Sequence, residues 1–120
     1  MAAPHPVLAV HGALSRGVFA VAVLVSLAVL FAPGSDVPAA PPYTDTLVHV
    51  LLFAALAVTG RWAGVRATPL LAGLVLYAAG SEVVQALAPL DRSGSVADWL
   101  ADVVGALGGW LLWERLERRR

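Results

Sequence analysis

Apolar residues in this chain come in long blocks broken by short polar stretches. The cleanest block runs from Val18 to Pro33, inside a charge-free stretch from Gly17 to Gly34. A second runs from Thr46 to about Gly60 and contains His49; Tyr43 to Asp45 and Arg61 to Trp62 are available to lengthen it. A third runs from Pro69 to about Ala88 and holds Glu82 and Gln85, and a fourth runs from Val96 to Trp113 and holds Asp98 and Asp102. A bilayer-crossing helix needs about 20 mostly apolar residues. In lipid the backbone must satisfy its own hydrogen bonds, so only helices and closed barrels span. A run such as VFAVAVLVSLAVLFA lacks the in–out alternation of a barrel strand. The pattern predicts an all-α transmembrane four-helix bundle in one domain, residues 1–120, with helices at about 17–34, 44–61, 69–88 and 96–114.

Turn chemistry separates the blocks. Pro33, Gly34, Pro38, Pro41 and Pro42 cluster in one segment. Proline cannot continue a helix and pushes the residue before it to extended geometry, so 33 to about 44 reads as a loop. Pro69 falls where the first turn of a helix tolerates it, and Pro89 closes the third span before the polar turn LDRSGS. Ser95 is placed as N-cap of the fourth helix, with Asp98 at the capping-box distance. Residues 1–40 also carry features of a cleaved signal peptide, with Arg16 before an apolar stretch and VPAA as a candidate cleavage site. The apolar stretch exceeds the usual length of roughly 7–15 residues. Pro33 and Gly34 also separate it from VPAA, so it reads as a retained span.

Composition agrees with a lipid solvent. Of 120 residues, 59% are hydrophobic and 13% charged, with a mean hydropathy of +0.79. A soluble domain carries about 25% charged residues. Intrinsic disorder needs low hydrophobicity and high net charge, whereas the formal net charge here is zero. The absence of cysteine excludes a disulfide scaffold or a thiolate metal site, and no basic excess points to nucleic acid. All eight basic residues are arginine. With four spans, Arg16, Arg61, Arg66, Arg115, Arg118, Arg119 and Arg120 share one side, and only Arg92 lies opposite. The positive-inside rule then puts both termini in the cytoplasm of a plasma-membrane protein, with outer loops at 33–45 and 89–95. The C-terminal ERLERRR reads as an orientation signal meeting anionic lipid. Trp62, Trp110 and Trp113 fall near the inner interface, and Tyr43 and Trp99 near the outer one, as an aromatic belt.

On this topology the intramembrane polar residues collect at the outer ends of three helices. Asp45 and His49 are four apart, as are Asp98 and Asp102, and Glu82 and Gln85 are three apart, so each pair shares a helix face. Glu82 is six residues before Ala88 and Asp102 six after Val96, which sets both roughly 9 Å below their helix ends. A carboxylate in hydrocarbon is costly and turns to the bundle interior for partners. One polar cluster between helices two, three and four follows, open toward the outside, with Arg92 in the loop beside it. Two carboxylates at matched depth cannot both ionise cheaply when close, so Glu82 or Asp102 is expected to be protonated near neutral pH unless His49, Arg92 or a metal compensates. Gly105 and Gly109 form a GxxxG on the same stripe as the aspartates, which predicts a close helix contact there.

Taken together, DTLVHVLLFAALA and SEVVQALAPLDRSGSVADWLADVVGALGG resemble the VanZ-like family of small membrane proteins. That family's pattern is an Asp with a His four later, a Glu-x-x-Gln ending the next helix, a loop arginine, Asp-x-x-x-Asn and Gly-Ala-x-x-Gly. It is matched here by Asp45, His49, Glu82, Gln85, Arg92, Asp98, Gly105, Ala106 and Gly109, over about residues 43–113. Asp102 departs from it, an acid where the family carries asparagine, so any role of that amide is not carried over. The resemblance implies a cell-envelope protein of a family linked to resistance to the glycopeptide teicoplanin.

Three mechanisms would use the cluster. In the first, Arg92 holds a phosphate or carboxylate of a lipid-linked wall precursor, a lipid headgroup or a glycopeptide, while the acids take hydroxyl or ammonium groups. In the second, the chain is an enzyme, with Glu82, Asp98 and His49 as acid/base groups or as ligands of a divalent metal. No H-E-x-x-H or nucleophile-elbow pattern names a reaction, and Ser81, Ser93 and Ser95 have no evident base in sequence. The third, a proton-coupled exporter of the small four-helix type, is the weakest, because such exporters rely on a glutamate in the first helix and none stands there. The plain structural alternative is a set of interhelical struts, worth on average about 0.6 kcal/mol each in membranes. That is a poor return for burying several carboxyls. Binding without catalysis is the expectation, with no cofactor or metal assigned, the bilayer as partner and homo-oligomerisation open.

Overall fold

The computed structural model describes residues 9–32, 43–87 and 95–119. The described residues form four helices and no strand: α1 (Ala13–Leu30), α2 (Tyr43–Trp62), α3 (Ala67–Leu87) and α4 (Val96–Arg118). Each is long and apolar enough to cross a membrane. The second apolar block is lengthened at both ends, through Tyr43 and through Trp62. Three boundaries differ from the sequence expectation. α1 begins at Ala13 rather than near 17 and ends at Leu30 rather than near 34. Its first turn runs through Ser15 and Arg16, because helix geometry does not stop where hydrophobicity does. α4 continues past Trp113 to Arg118 through the strong helix formers Glu, Arg and Leu. The proline-rich segment 33–42 and the segment 88–94 lie outside the described residues.

The helices run up, down, up and down. α2 and α4 therefore point the same way, and they make the most extensive contact in the molecule. The sequence explains how closely they approach. A Cβ on Gly105 would meet the Val50 carbonyl oxygen, and one on Gly109 would meet Ala54 backbone and the Ala57 methyl. The GxxxG stripe thus lays the α4 backbone directly on α2. α1 packs on α2, and α3 touches both α4 and α2. Phe53, Leu56, Ala57, Leu70, Leu74, Ala78, Ala106 and Leu30 fill the space between. The Phe53 and Tyr77 rings meet at 5.7 Å.

Large apolar side chains such as Leu24, Val21, Leu76 and Leu111 point outward, whereas His49, Gln85 and Asp102 are almost completely buried. This inverts the arrangement of a water-soluble bundle and suits a lipid surround. Trp113 is buried between helices, and Trp99 donates from Nε1 to the Val75 carbonyl at 3.4 Å. These two indoles pack inward and do not stand as belt residues.

The end of the bundle carrying Arg61 is closed by turn chemistry. Gly64, at φ 98°, follows α2. Its N–H donates to Arg61 O, and that of Val65 to Gly60 O, both at 3.0 Å. This is the paired pattern of a Schellman cap. The His11 ring sits where a Gly64 side chain would be, and His11 N–H donates to Trp62 O at 3.3 Å, which ties the entry to α1 onto the α2–α3 turn. The Arg61 guanidinium also reaches Val65 O at 2.9 Å and Glu114 at 3.4 Å.

Candidate functional site

At the opposite end, where α2 and α4 begin and α3 finishes, the predicted polar residues converge. His49 lies on the buried stripe of α2, with Phe53, Leu56 and Ala57 following it, and is 1% exposed. The glycine seam brings α4 in against it. His49 Nδ1 is 2.6 Å from Asp102 Oδ1, the separation of an imidazole N–H donating to a carboxylate. Glu82, from α3, places Oε1 3.8 Å from the same nitrogen. On the other side of the ring, Nε2 is 3.7 Å from Asp45 Oδ2, one helical turn earlier. The Asp45 side chain is 52% exposed. A polar path therefore runs from the surface at Asp45, through the imidazole, to two buried acids.

The N-terminus of α4 is built into this site. Ser95 caps the helix, its hydroxyl accepting from Asp98 N–H at 3.0 Å. In a capping box the fourth residue would reach back to the cap's own N–H. Here Glu82 Oε2 takes that N–H instead, at 3.1 Å. The carboxylate of α3 thus fastens the start of α4 with one oxygen and faces His49 with the other. Sequence reading missed this contact, because it crosses between helices and its donor is a backbone group with no side-chain signature.

Two oxygens of the cluster are left over. Glu82 Oε1 and Asp102 Oδ2 are shielded from solvent and have no hydrogen-bond partner among the described residues. Two overlapping groups have the composition and spacing to hold a cation, both containing His49. One is His49, Glu82 and Asp102, all buried; the other is Asp45, His49 and Asp98, nearer the surface, and within each group the donor atoms lie within 4.8 Å of one another. Glu82 and Asp98, which the enzymatic reading joined around one metal, fall in different groups.

The remaining predicted residues have other placements. Gln85 donates from Nε2 to Leu30 O at 2.6 Å, so it ties the last turn of α1 to α3. Gly105 and Gly109 lie in the α2–α4 seam. Arg92 lies outside the described residues. A separate polar contact, Ser26 to Tyr77 at 2.8 Å, joins α1 to α3 away from the cluster and was not foreseen, since serine and tyrosine carry no charge to flag them. No family model, curated protein or solved structure matches the chain.

Proposed function

We propose that this chain is a multi-pass plasma-membrane protein of VanZ-like type, with both termini cytoplasmic. In this reading the His49 cluster binds, without turnover, an envelope ligand at the outer face. The kinship rests on the residue pattern from Asp45 to Gly109. The orientation is supported by the arginine bias, seven to one, toward the end opposite His49. The binding reading is carried by one observation above all: a half-exposed acid, Asp45, leads through His49 to Glu82 and Asp102, each with one buried oxygen that lacks a hydrogen-bond partner among the described residues. Such a site suits the ammonium or hydroxyl groups of a lipid headgroup, a lipid-linked wall precursor or a glycopeptide. Through it the protein would influence glycopeptide susceptibility.

The test is the purified protein in nanodiscs with labelled lipid-linked precursor, lipid or teicoplanin. Saturable binding that weakens in Glu82→Gln, with no product formed, supports the reading. Turnover abolished in Glu82→Gln replaces it with a membrane enzyme. Because the chain has no cysteine, single cysteines report orientation without background. Ala97→Cys reacts with an impermeant maleimide on intact cells, and Arg119→Cys only after permeabilisation; the reverse pattern overturns the orientation.

A further inference from the structure

We infer that His49, Glu82 and Asp102 form a binding site for one divalent metal ion of the zinc, manganese or cobalt class. The inference rests on reading this cluster as a ligand site, and not on the VanZ-like kinship or on any envelope ligand.

The donor set is one imidazole and two carboxylates, ligands that suit borderline divalent ions. All three side chains are more than nine-tenths buried, at 1%, 7% and 0% exposure. Geometry agrees. Bonds of about 2.0–2.1 Å in a tetrahedral shell put neighbouring ligand atoms roughly 3.3 Å apart. Glu82 Oε1, one of the two unpaired oxygens, lies 3.8 Å from His49 Nδ1, and the donor atoms of the three side chains lie within 4.8 Å of one another. Nδ1 faces Asp102 Oδ1 at hydrogen-bond distance, so metal binding would exchange that ring proton for the ion and leave the remaining proton on Nε2, toward Asp45.

A second observation points to a ligand independently of the cluster's composition. Glu82 Oε1 and Asp102 Oδ2 are buried without a hydrogen-bond partner among the described residues. An unpaired buried carboxylate oxygen is costly. A divalent ion between the two acids neutralises both charges, and a neutral site is the form a low-dielectric surround tolerates best. The other carboxylate oxygens are already committed, Glu82 Oε2 to Ser95 N–H and Asp102 Oδ1 beside the imidazole. The acids are therefore held in place by the ends of α3 and α4 before any ion arrives.

The experiment uses the full chain in nanodiscs, free of any polyhistidine tag and stripped with chelator. Zn²⁺, Mn²⁺ and Co²⁺ are added separately; bound metal is counted after equilibrium dialysis, and Co²⁺ is followed by its visible absorption. The expected result is one ion per chain, with Co²⁺ bands of a low-coordinate nitrogen–oxygen site. The near-isosteric Glu82→Gln and Asp102→Asn should each weaken uptake by more than the roughly 10–100-fold that loss of an outer-shell partner causes. Glu114→Gln, at the opposite end of α4, should leave it intact. No stoichiometric uptake by the wild type overturns the inference whatever the variants do. Uptake unchanged in both acid variants overturns it too, as does uptake seen only in Arg92→Gln, which would make the arginine the acids' counterion. The lipid and glycopeptide assay, run with chelator on the same preparation, separates the two failures. Ligand binding without metal sinks only the metal site, and loss of both sinks the site reading as well.

Discussion

The seam between α2 and α4 is made in two different ways along its length. At one end His49 and Asp102 meet through a single 2.6 Å contact with Glu82 alongside. One turn further, Gly105 and Gly109 lay bare backbone on Val50 and Ala54. The first half buries groups that are expensive to desolvate and leaves two of their oxygens without hydrogen-bond partners among the described residues. The second half buries nothing polar beyond backbone already bonded within its helix, and its attraction is dispersion at close range. The two halves are nevertheless linked. Asp102 is three residues before Gly105 on the same stripe of α4, so the close approach set by the glycines determines how near Asp102 comes to His49. The cheap half positions the costly one.

The strongest way to break the contrast is His49→Ala. It strips Asp102 and Glu82 of their shared neighbour. Removing one partner of a buried ion pair costs about 3–5 kcal/mol, and the loss should appear in reversible unfolding in mixed micelles. Asp102→Asn keeps an oxygen for the imidazole N–H and should cost about 1 kcal/mol or less. Were His49→Ala to cost only the roughly 0.6 kcal/mol of an average interhelical hydrogen bond in a membrane, the polar half would be no more than an ordinary strut.

The glycine half is tested next by Gly105→Val. Added bulk against the Val50 carbonyl must move a backbone, at a cost of about 1–3 kcal/mol. Gly108→Val, on the open face of the same helix with nothing within 4 Å of its Cβ position, should cost nothing, since valine's helix propensity is the better by a few tenths of a kcal/mol. The coupling between the halves is sharpened by combining Gly105→Val with Asp102→Asn. Once the seam is pried open the contact at Asp102 is already weakened, so the two costs should sum to less than their separate values. Strict additivity would show that the glycines do not position the site.

A smaller effect is expected at Ser95, where α4 enters the site. Ser95→Ala removes the cap on Asp98 N–H and should cost about 1 kcal/mol, whereas Ser95→Gly should cost a few tenths. Neither change touches the backbone N–H that holds Glu82. Ligand or metal uptake should therefore survive both, and its loss in Ser95→Gly would mean that the hydroxyl itself belongs to the site.

These contrasts also mark what could be read from the chain and what could not. The four helices were legible because hydrophobic runs long enough to cross a bilayer have few other uses. The meeting of His49, Glu82 and Asp102 was legible from depth: residues equally far from helix ends at one side of a bilayer, each too costly to face lipid, have only one another to turn to. Helix ends were less legible. The start of α1 and the finish of α4 pass through Arg16 and through Glu114 to Arg118, where the hydrophobic signal stops and the helix does not. Trp113 was misplaced for a related reason, since interfacial position along a helix says nothing about which face a residue occupies. The reach of Glu82 to Ser95 N–H and of Gln85 to Leu30 O depends on how helices cross, which no spacing within one helix encodes.

The last and smallest effect concerns the other end of the same helices, where α2 and α4 close with a second ion pair. Arg61 and Glu114 stand 3.4 Å apart, but both side chains keep partial exposure, at 23% and 33%. Solvent and headgroup water screen such a pair, so Glu114→Gln should change unfolding free energy by less than about 1 kcal/mol, and by less still in high salt. Arg61 keeps its bond to the Val65 carbonyl in either case and stays in place on the Schellman turn. Two pairs on the same helices would then differ several-fold in cost for one reason, the solvation left to their charges. A Glu114→Gln effect as large as that of His49→Ala would remove burial as the cause.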